Sequence, residues 1–400
     1  MKIKLKVSIL QITFMMLILS SFLFPYYVTS ATGLNENFQL TSFCSAIIIA
    51  YICTKNRTKK DKYSFFFESL LWSFAVIGLY TNVKYELKLG WTIVNQVIAF
   101  AFFIIIYKRF QKSINFLTEM KNIVTNIFFI SNILSIIYWV IGGEAIRFYN
   151  FSFQFRRQGI FNDTRLTFVY THKSVYGLLL FLVLIMLVKD KNIVNRAYKI
   201  VTILITLLLV NSAVSIVCSV VFVMYYILKN VWKKMSFWSK VIFAFIAGVI
   251  LVLACIFIYY IVGKYRNINN LGGRIAIWSY ALGYLSKNKI GIGDAFGAIY
   301  YSSKQLGFSF NNFHNVFLNE MLQISVLEGF IFIALFMMIY YKAILNSNDK
   351  FETILCLILL LIPFMFDQAI STAFLPIYFL LFYLTFLVDC EGEKQIRTSF

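Results

Sequence analysis

The sequence predicts an all-α integral membrane protein: a helical bundle of about twelve transmembrane segments that forms a single domain over residues 1–400. Two observations of composition favour this fold class. Of all residues, 60% are hydrophobic and only 14% are charged, whereas a soluble domain has roughly 25% charged residues. The third observation is that long apolar runs recur along the whole chain, and about 20 apolar residues suffice to cross a bilayer.

The apolar runs define the predicted spans. They lie at 7–28, 38–54, 63–82, 89–107, 122–141, 173–188, 197–211, 213–229, 240–262, 326–342, 352–367 and 373–389. The first run resembles a signal peptide, but we expect it to be a retained helix because more spans follow. The seventh and eighth runs could form one helix. We separate them at Asn211 and Ser212, because the merged helix would cross the bilayer almost twice.

The basic residues predict the orientation of the bundle. With the N-terminus inside, the cytoplasmic side receives 24 of the 37 Lys and Arg residues, in segments such as KNRTKKDK and KNVWKK. This asymmetry follows the positive-inside rule and predicts that both termini are cytoplasmic. The net charge of +20 therefore reflects cytoplasmic loops, and no extramembrane basic domain is large enough to suggest a nucleic-acid partner.

Two long loops lie on the predicted outer side, at 142–172 and 263–325, and together they hold every arginine of that side. These arginines are Arg147, Arg156, Arg157, Arg165, Arg266 and Arg274. A guanidinium group binds phosphate or carboxylate through two parallel hydrogen bonds and keeps its charge, so we expect this set to bind an anion. The alternative is that long translocated loops escape the charge rule.

The chain has only two histidines, and both lie in these loops: His172 ends the first, and His314 comes toward the end of the second, where the next apolar run begins. A neutral imidazole at the outer mouth of a span can accept a proton from a hydroxyl group; a capping or interfacial histidine is the alternative. No HxxxH or HExxH pattern occurs, so we expect no metal site. Ionisable residues in the spans are scarce, with Glu68 near an inner end and Asp367 near an outer end, which disfavours a transport pathway.

Two segments of the second loop resemble the signature of the O-antigen polymerase and O-antigen ligase family. They are GGRIAIWSYALGYLSKNKIGIGDAFG, in which Arg274 opens a predicted short helix, and FNNFHNVFLNEMLQISVLEGF. FRRQGIF (155–161) and THKSVYGLLL (171–180) are similar to the family's earlier outer-loop pattern. Two positions depart from the family. Ser325 stands where members often have glycine, and Asn211-Ser212-Ala213 stands where many have Ser-Arg, so a phosphate-binding arginine is missing there.

The resemblance implies a glycosyltransferase of the bacterial cytoplasmic (inner) membrane that uses no cofactor, nucleotide sugar or metal. It implies that His314 activates the acceptor hydroxyl, and that Arg274 holds the donor diphosphate and stabilises charge on the leaving group. The further substrate- and diphosphate-binding residues are then Arg156, Arg157, Arg165, Arg266 and Asn315. One of the three arginines of the first loop would replace the missing one.

The favoured function is a polymerase that joins undecaprenyl-diphosphate-linked repeat units into O-antigen or capsular polysaccharide. One alternative is an O-antigen ligase, which transfers finished polysaccharide to lipid A-core. An alternative from another class is a flippase or transporter of lipid-linked glycan. The expected partners are these glycan substrates, membrane lipid, and a chain-length regulator and flippase of the same pathway.

Overall fold

The computed structural model describes ten longer stretches and five shorter ones, and every structural statement below refers to these residues. They are 9–23, 39–55, 61–87, 90–110, 114–141, 146–148, 151–153, 173–232, 235–239, 242, 274–287, 295–307, 313–367, 370 and 372–388. Among them the long elements are all helices. A two-stranded antiparallel hairpin, β1 (Ile146–Phe148) with β2 (Phe151–Phe153), is a small local departure from the all-helical prediction.

The helices follow one another with short connections in most of the described chain. They are α1 (Ile9–Leu23), α2 (Leu40–Lys55), α3 (Lys62–Lys84), α4 (Gly90–Phe110), α5 (Ile114–Ile141), α6 (Lys173–Lys189), α7 (Arg196–Val210), α8 (Ala213–Trp232), α9 (Arg274–Lys287), α10 (Ala295–Leu306), α11 (Val316–Gln323), α12 (Val326–Asn346), α13 (Lys350–Phe366) and α14 (Leu375–Phe386). A short 3-10 helix, Thr372–Phe374, leads into α14.

Every predicted span contains a helix except 240–262, of which the structure describes only residue 242. Within the described residues, four helices are long and apolar enough to cross a membrane: Lys62–Lys84, Gly90–Arg109, Phe116–Ile137 and Val326–Asn346. Large apolar side chains such as Trp72, Val76 and Leu134 are exposed on the outside of the bundle. An apolar surface of this kind indicates a membrane protein. The number of spans and the orientation of the termini stay predictions.

The predicted break between the seventh and eighth spans is confirmed. Helix α7 ends at Val210, and Asn211 adopts a left-handed conformation with φ +52°. Its backbone N–H donates to the carbonyl oxygens of Leu207 and Leu208, which are among the last unpaired carbonyls of the helix. Asparagine tolerates this conformation better than most residues. The chain therefore turns here and returns as α8 from Ala213.

Consecutive long helices run in alternating directions, so the bundle has two distinct ends. Ser174 at the start of α6 contacts Asp367 at the end of α13, and we call this the His314 end. Lys229 near the end of α8 forms ion pairs with Asp349 and Glu352 at the start of α13, and we call this the Lys229 end. The pKa of Asp349 is lowered, because its carboxylate accepts a hydrogen bond from the backbone N–H of Glu352 and another from the Lys229 ammonium.

Helices α6 and α14 form the centre of the bundle. Every side chain from Ser174 to Val188 in α6, and every side chain of α14, is buried. Both helices are apolar on all sides, which is the pattern of a helix surrounded by others. Aromatic rings fill the space around α14: Phe336 of α12 contacts Tyr378 and Phe379. The central pair thus gives the surrounding helices a rigid apolar support.

Helix α11 lies directly against α12, and Gly329 permits the close approach. A Cβ atom at Gly329 would come within 2.9 Å of the Cα atom and 3.0 Å of the backbone nitrogen of Met321. Backbone atoms cannot move aside as a flexible side chain can. Small residues at such contacts are what allow helices to approach closely in membrane proteins. The position of α11, and of the residues that precede it, therefore depends on a glycine at 329.

We expect Gly329→Ala to lower the melting temperature of the purified protein in detergent by a few °C, since overpacking a tight contact costs roughly 1–3 kcal/mol. The matched control is Gly283→Ala in α9, where an added Cβ meets no atom within 4 Å. Alanine there should be neutral or slightly stabilising. Equal melting temperatures for the two variants would contradict the close packing of α11 on α12.

Candidate functional site

The candidate site begins at the three residues that precede α11. Asn315 is the N-cap of that helix: its side-chain oxygen accepts a hydrogen bond of 2.9 Å from the backbone N–H of Leu318. Asparagine is among the best residues at this position. The sequence predicted Asn315 as a substrate-binding residue, whereas here its carboxamide oxygen is engaged in starting the helix that follows His314.

His314 has a left-handed backbone conformation, with φ +50°. This conformation is uncommon for a residue that carries a side chain, and it persists only where the surroundings enforce it. Both backbone groups of the preceding residue, Phe313, are held by side chains. Its N–H donates to Asn319 Oδ1 at 3.1 Å, and its carbonyl accepts from Trp278 Nε1 at 2.7 Å. The backbone directly before His314 is thus held in place by α9 and α11.

The partner of the imidazole is Asp367, the residue that ends α13. Its side chain is only 8% exposed, and His314 Nδ1 lies 3.3 Å from its Oδ1 atom. The second oxygen, Oδ2, accepts a hydrogen bond from the Ser174 hydroxyl. The Arg274 guanidinium lies 4.0 Å from the same oxygen, which is an ion pair too long for a direct hydrogen bond. One buried carboxylate therefore joins α6, α9, α13 and the histidine.

This arrangement has a defined chemical capability. When Nδ1 of His314 donates to Asp367, the other ring nitrogen, Nε2, carries the lone pair and can accept a proton. A carboxylate in this position orients the imidazole and stabilises its protonated form, as in serine hydrolase triads. Arg274, at the first residue of α9, adds a permanent positive charge beside the same carboxylate. A group that can accept a proton and a permanent cation therefore lie around Asp367.

A second cation lies near this cluster. Lys173, the first residue of α6, donates from its ammonium group to the backbone oxygen of Asn211 at 3.4 Å. Asn211 belongs to the turn between α7 and α8, and Lys173 is adjacent in sequence to Ser174, which contacts Asp367. The His314 end thus carries a lysine at the turn between α7 and α8.

The structure brings together two of the predicted site residues, His314 and Arg274, and puts Asn315 beside them as a helix cap. Four others lie outside the described residues: Arg156, Arg157, Arg165 and Arg266. Sequence reasoning missed Asp367, Ser174 and Lys173. Asp367 had a signal, because it is one of the few acidic residues at the end of a predicted span. Ser174 had none, since a serine in an apolar run has no distinctive pattern.

A short helix was predicted near the start of the second long loop, and α9 confirms it. Its buried face carries Ile277 and Ala281, and Trp278 reaches Phe313 as described above. Ile275 and Leu282 remain 46% and 54% exposed. Within the described residues, no group of three His, Cys, Asp or Glu side chains could hold a metal ion.

The fold and the site together define an all-helical protein of membrane type with a His-Asp-Arg cluster at one end of its bundle. Comparison with models of known protein families and with characterised proteins finds no match for this chain.

We expect Ser174→Ala to destabilise the protein by about 1–3 kcal/mol, because the buried carboxylate of Asp367 then loses a hydrogen-bond donor. In an Asp367→Ala background the same change should cost much less, and this coupling is measured by denaturation of the four proteins of a double-mutant cycle. Ser219→Ala is the matched control: Ser219 is also a buried helical serine, but its hydroxyl donates only to the Ser215 carbonyl of its own helix. Strictly additive effects of Ser174→Ala and Asp367→Ala would refute the contact.

Proposed function

We propose that this protein is a membrane glycosyltransferase that polymerises undecaprenyl-diphosphate-linked oligosaccharide repeat units on the outer face of the bacterial cytoplasmic membrane. The observation that carries the proposal is the contact between His314 and Asp367 beside Arg274. A base that faces a hydroxyl and a cation that faces a diphosphate are the two groups that this reaction needs from a protein. The signature segments that contain His314 and Arg274 give the same assignment by resemblance.

In the proposed step, the hydroxyl oxygen of the acceptor sugar forms a bond to the anomeric carbon of the donor sugar. The bond between that carbon and the diphosphate oxygen breaks, and its electron pair leaves with undecaprenyl diphosphate. His314 Nε2 takes the proton of the hydroxyl, while Asp367 stabilises the imidazolium that results. Arg274 stabilises the charge of the leaving diphosphate, and Lys173 supplies a second positive charge.

The positions of the buried acidic residues favour an enzyme over a transporter of lipid-linked glycan. A transport pathway needs ionisable groups along the spans. In the described helices, the buried acidic residues Glu328 and Glu352 lie in the first turns of α12 and α13, near the ends of the bundle. The ligase remains the alternative within the same chemistry, because it uses the same donor diphosphate and differs only in its acceptor.

We expect His314→Ala, Arg274→Ala and Asp367→Asn each to abolish long-chain polysaccharide while lipid-linked single repeat units accumulate, since each removes a group from the proton-transfer or leaving-group step. Gel electrophoresis of surface polysaccharide and analysis of the lipid-linked pool measure both effects. Lys304→Ala, which removes an exposed positive charge from neighbouring α10, is the charge-matched control. Normal chain lengths in His314→Ala at a wild-type protein level would rule out the assignment. Loss of lipid A-core attachment with normal polymer would favour a ligase.

The same proposal predicts that the His314 end faces outward and the Lys229 end faces the cytoplasm. The Lys229 end carries Lys108, Lys121, Lys189 and Lys229, all in ion pairs, which agrees with the positive-inside rule. In a variant with all six cysteines replaced by serine or alanine, Lys304→Cys should react with a membrane-impermeant maleimide in intact spheroplasts. Lys350→Cys, exposed at the start of α13, should react only after permeabilisation. The reverse pattern would invert the orientation and remove the proposed outer-face chemistry.

A further inference from the structure

A second polar site lies beside the His-Asp-Arg cluster. It is a partly open pocket between α4, α11, α12 and the 3-10 helix. Its polar lining consists of Gln96, Asn319, Glu320, Gln323 and Thr372, and Phe332 provides an aromatic wall. Polar groups converge here in a chain that is 60% hydrophobic. A concave site with a few converging polar groups is the usual form of a small-ligand site.

The hydrogen bonding of Gln96 is incomplete. Its side chain is 1% exposed, and its Nε2 atom donates to Glu320 Oε2 at 2.8 Å. A carboxylate only accepts hydrogen bonds, so this contact fixes the orientation of the amide. The amide oxygen, Oε1, is buried and has no hydrogen-bond partner among the described residues. A buried acceptor without a donor costs free energy, and such groups are uncommon in native proteins.

The chemistry of the lining selects the kind of occupant. None of the described residues that line the pocket is Lys, Arg or His, so the pocket does not suit a phosphate group. Its single carboxylate is already hydrogen-bonded, and the other polar groups are amides and one hydroxyl. Amides both donate and accept hydrogen bonds, as do the hydroxyl groups of a neutral sugar. The apolar face of a sugar ring can pack against Phe332.

The pocket is connected to the catalytic cluster through two segments of chain. Val316, two residues after His314, lines the pocket, and Asn319 both lines it and accepts the Phe313 N–H that holds His314 in place. On the other side, Ile370 and Thr372 line the pocket and follow Asp367 closely in sequence. The segment that carries His314 and the segment that carries Asp367 therefore both continue into the lining of the pocket.

We propose that this pocket binds a neutral sugar residue of the acceptor glycan through its hydroxyl groups, with Gln96, Gln323 and Thr372 as its specificity-determining residues. The inference rests on the proposed function, since it assigns the acceptor half of that reaction. Arg274 holds the charged donor half, and the pocket, which lacks a cation, holds the neutral half. The Gln96 oxygen accepts a hydrogen bond from a sugar hydroxyl.

The test measures binding without catalysis. The probe is the oligosaccharide released by mild acid from the lipid-linked repeat units of cells that lack this protein. It is labelled at its reducing end and titrated against the purified His314→Ala protein, which is expected to bind but not react. We expect Gln96→Leu, Gln323→Ala and Thr372→Val each to weaken binding about tenfold, because each removes one hydrogen-bonding group from a site built around hydroxyls.

The matched control is Gln11→Leu. Gln11 forms the same kind of amide–carboxylate contact, with Nε2 at 2.7 Å from Glu119 Oε2, but at the Lys229 end of the bundle. Binding by Gln11→Leu should equal that of the parent. Because Gln96→Leu leaves Glu320 without its donor, Gln323→Ala and Thr372→Val keep the test valid if that variant fails to fold.

The outcomes separate the two proposals. Unchanged binding in correctly folded Gln323→Ala and Thr372→Val, with polymerisation lost in His314→Ala, would overturn the pocket and leave the proposed function intact. Weakened binding in the pocket variants, with polymerisation retained in His314→Ala, would overturn the catalytic assignment and leave a sugar-binding pocket. Absence of any binding to the parent protein would overturn the pocket outright.

Discussion

The arrangement of the His314 end depends on one buried carboxylate, that of Asp367. It accepts a hydrogen bond from Ser174, contacts the His314 imidazole and pairs with Arg274, so it connects three helices with a loop residue. A buried charge is costly unless donors and opposite charges compensate it. Here the donors come from separate parts of the chain, which means that the carboxylate is stable only when those parts are assembled. The contacts that compensate the buried charge of Asp367 therefore also bring the residues of the candidate site together.

The histidine is held from its backbone as well as from its ring. Trp278 and Asn319 bind both backbone groups of Phe313, and Asn315 begins α11 directly after His314. These contacts enforce the left-handed conformation at His314, which is unfavourable for a histidine on its own. Helix α11, which begins directly after these residues, in turn packs closely against α12 at Gly329. Rigid support from a second layer of residues is what holds a reactive group in a productive geometry.

Local patterns predicted much of the fold and part of the site. Apolar runs are local, so every predicted span within the described residues contains a helix, and the break at Asn211 follows from run length alone. His314 and Arg274 could also be predicted as site residues, because rare residue types near the ends of loops stand out by composition. The contacts of Asp367 could not be predicted from the sequence. Ser174, Arg274 and His314 are far from it along the chain, and only the packing of the helices brings them together. Asn315 illustrates a different case: the resemblance implies that it binds substrate, which stays a prediction, and its side-chain oxygen also caps α11, a local role that the sequence analysis did not assign.

The shared carboxylate also gives the proposed reaction an order. In the protein without substrate, Asp367 divides its charge between His314 and Arg274, and the 4.0 Å separation from Arg274 is an ion pair without a direct hydrogen bond. A diphosphate carries more negative charge than a carboxylate and offers the bidentate geometry that a guanidinium prefers. Donor binding would therefore draw Arg274 toward the diphosphate and leave Asp367 to the imidazole. The Asp367 carboxylate would then hold the imidazole alone, and the ring would be oriented toward the acceptor hydroxyl most firmly once the donor is bound. In the proposed polymerase, whose donor and acceptor would carry the same sugars, such an order would keep the acceptor hydroxyl from being activated before a donor is in place.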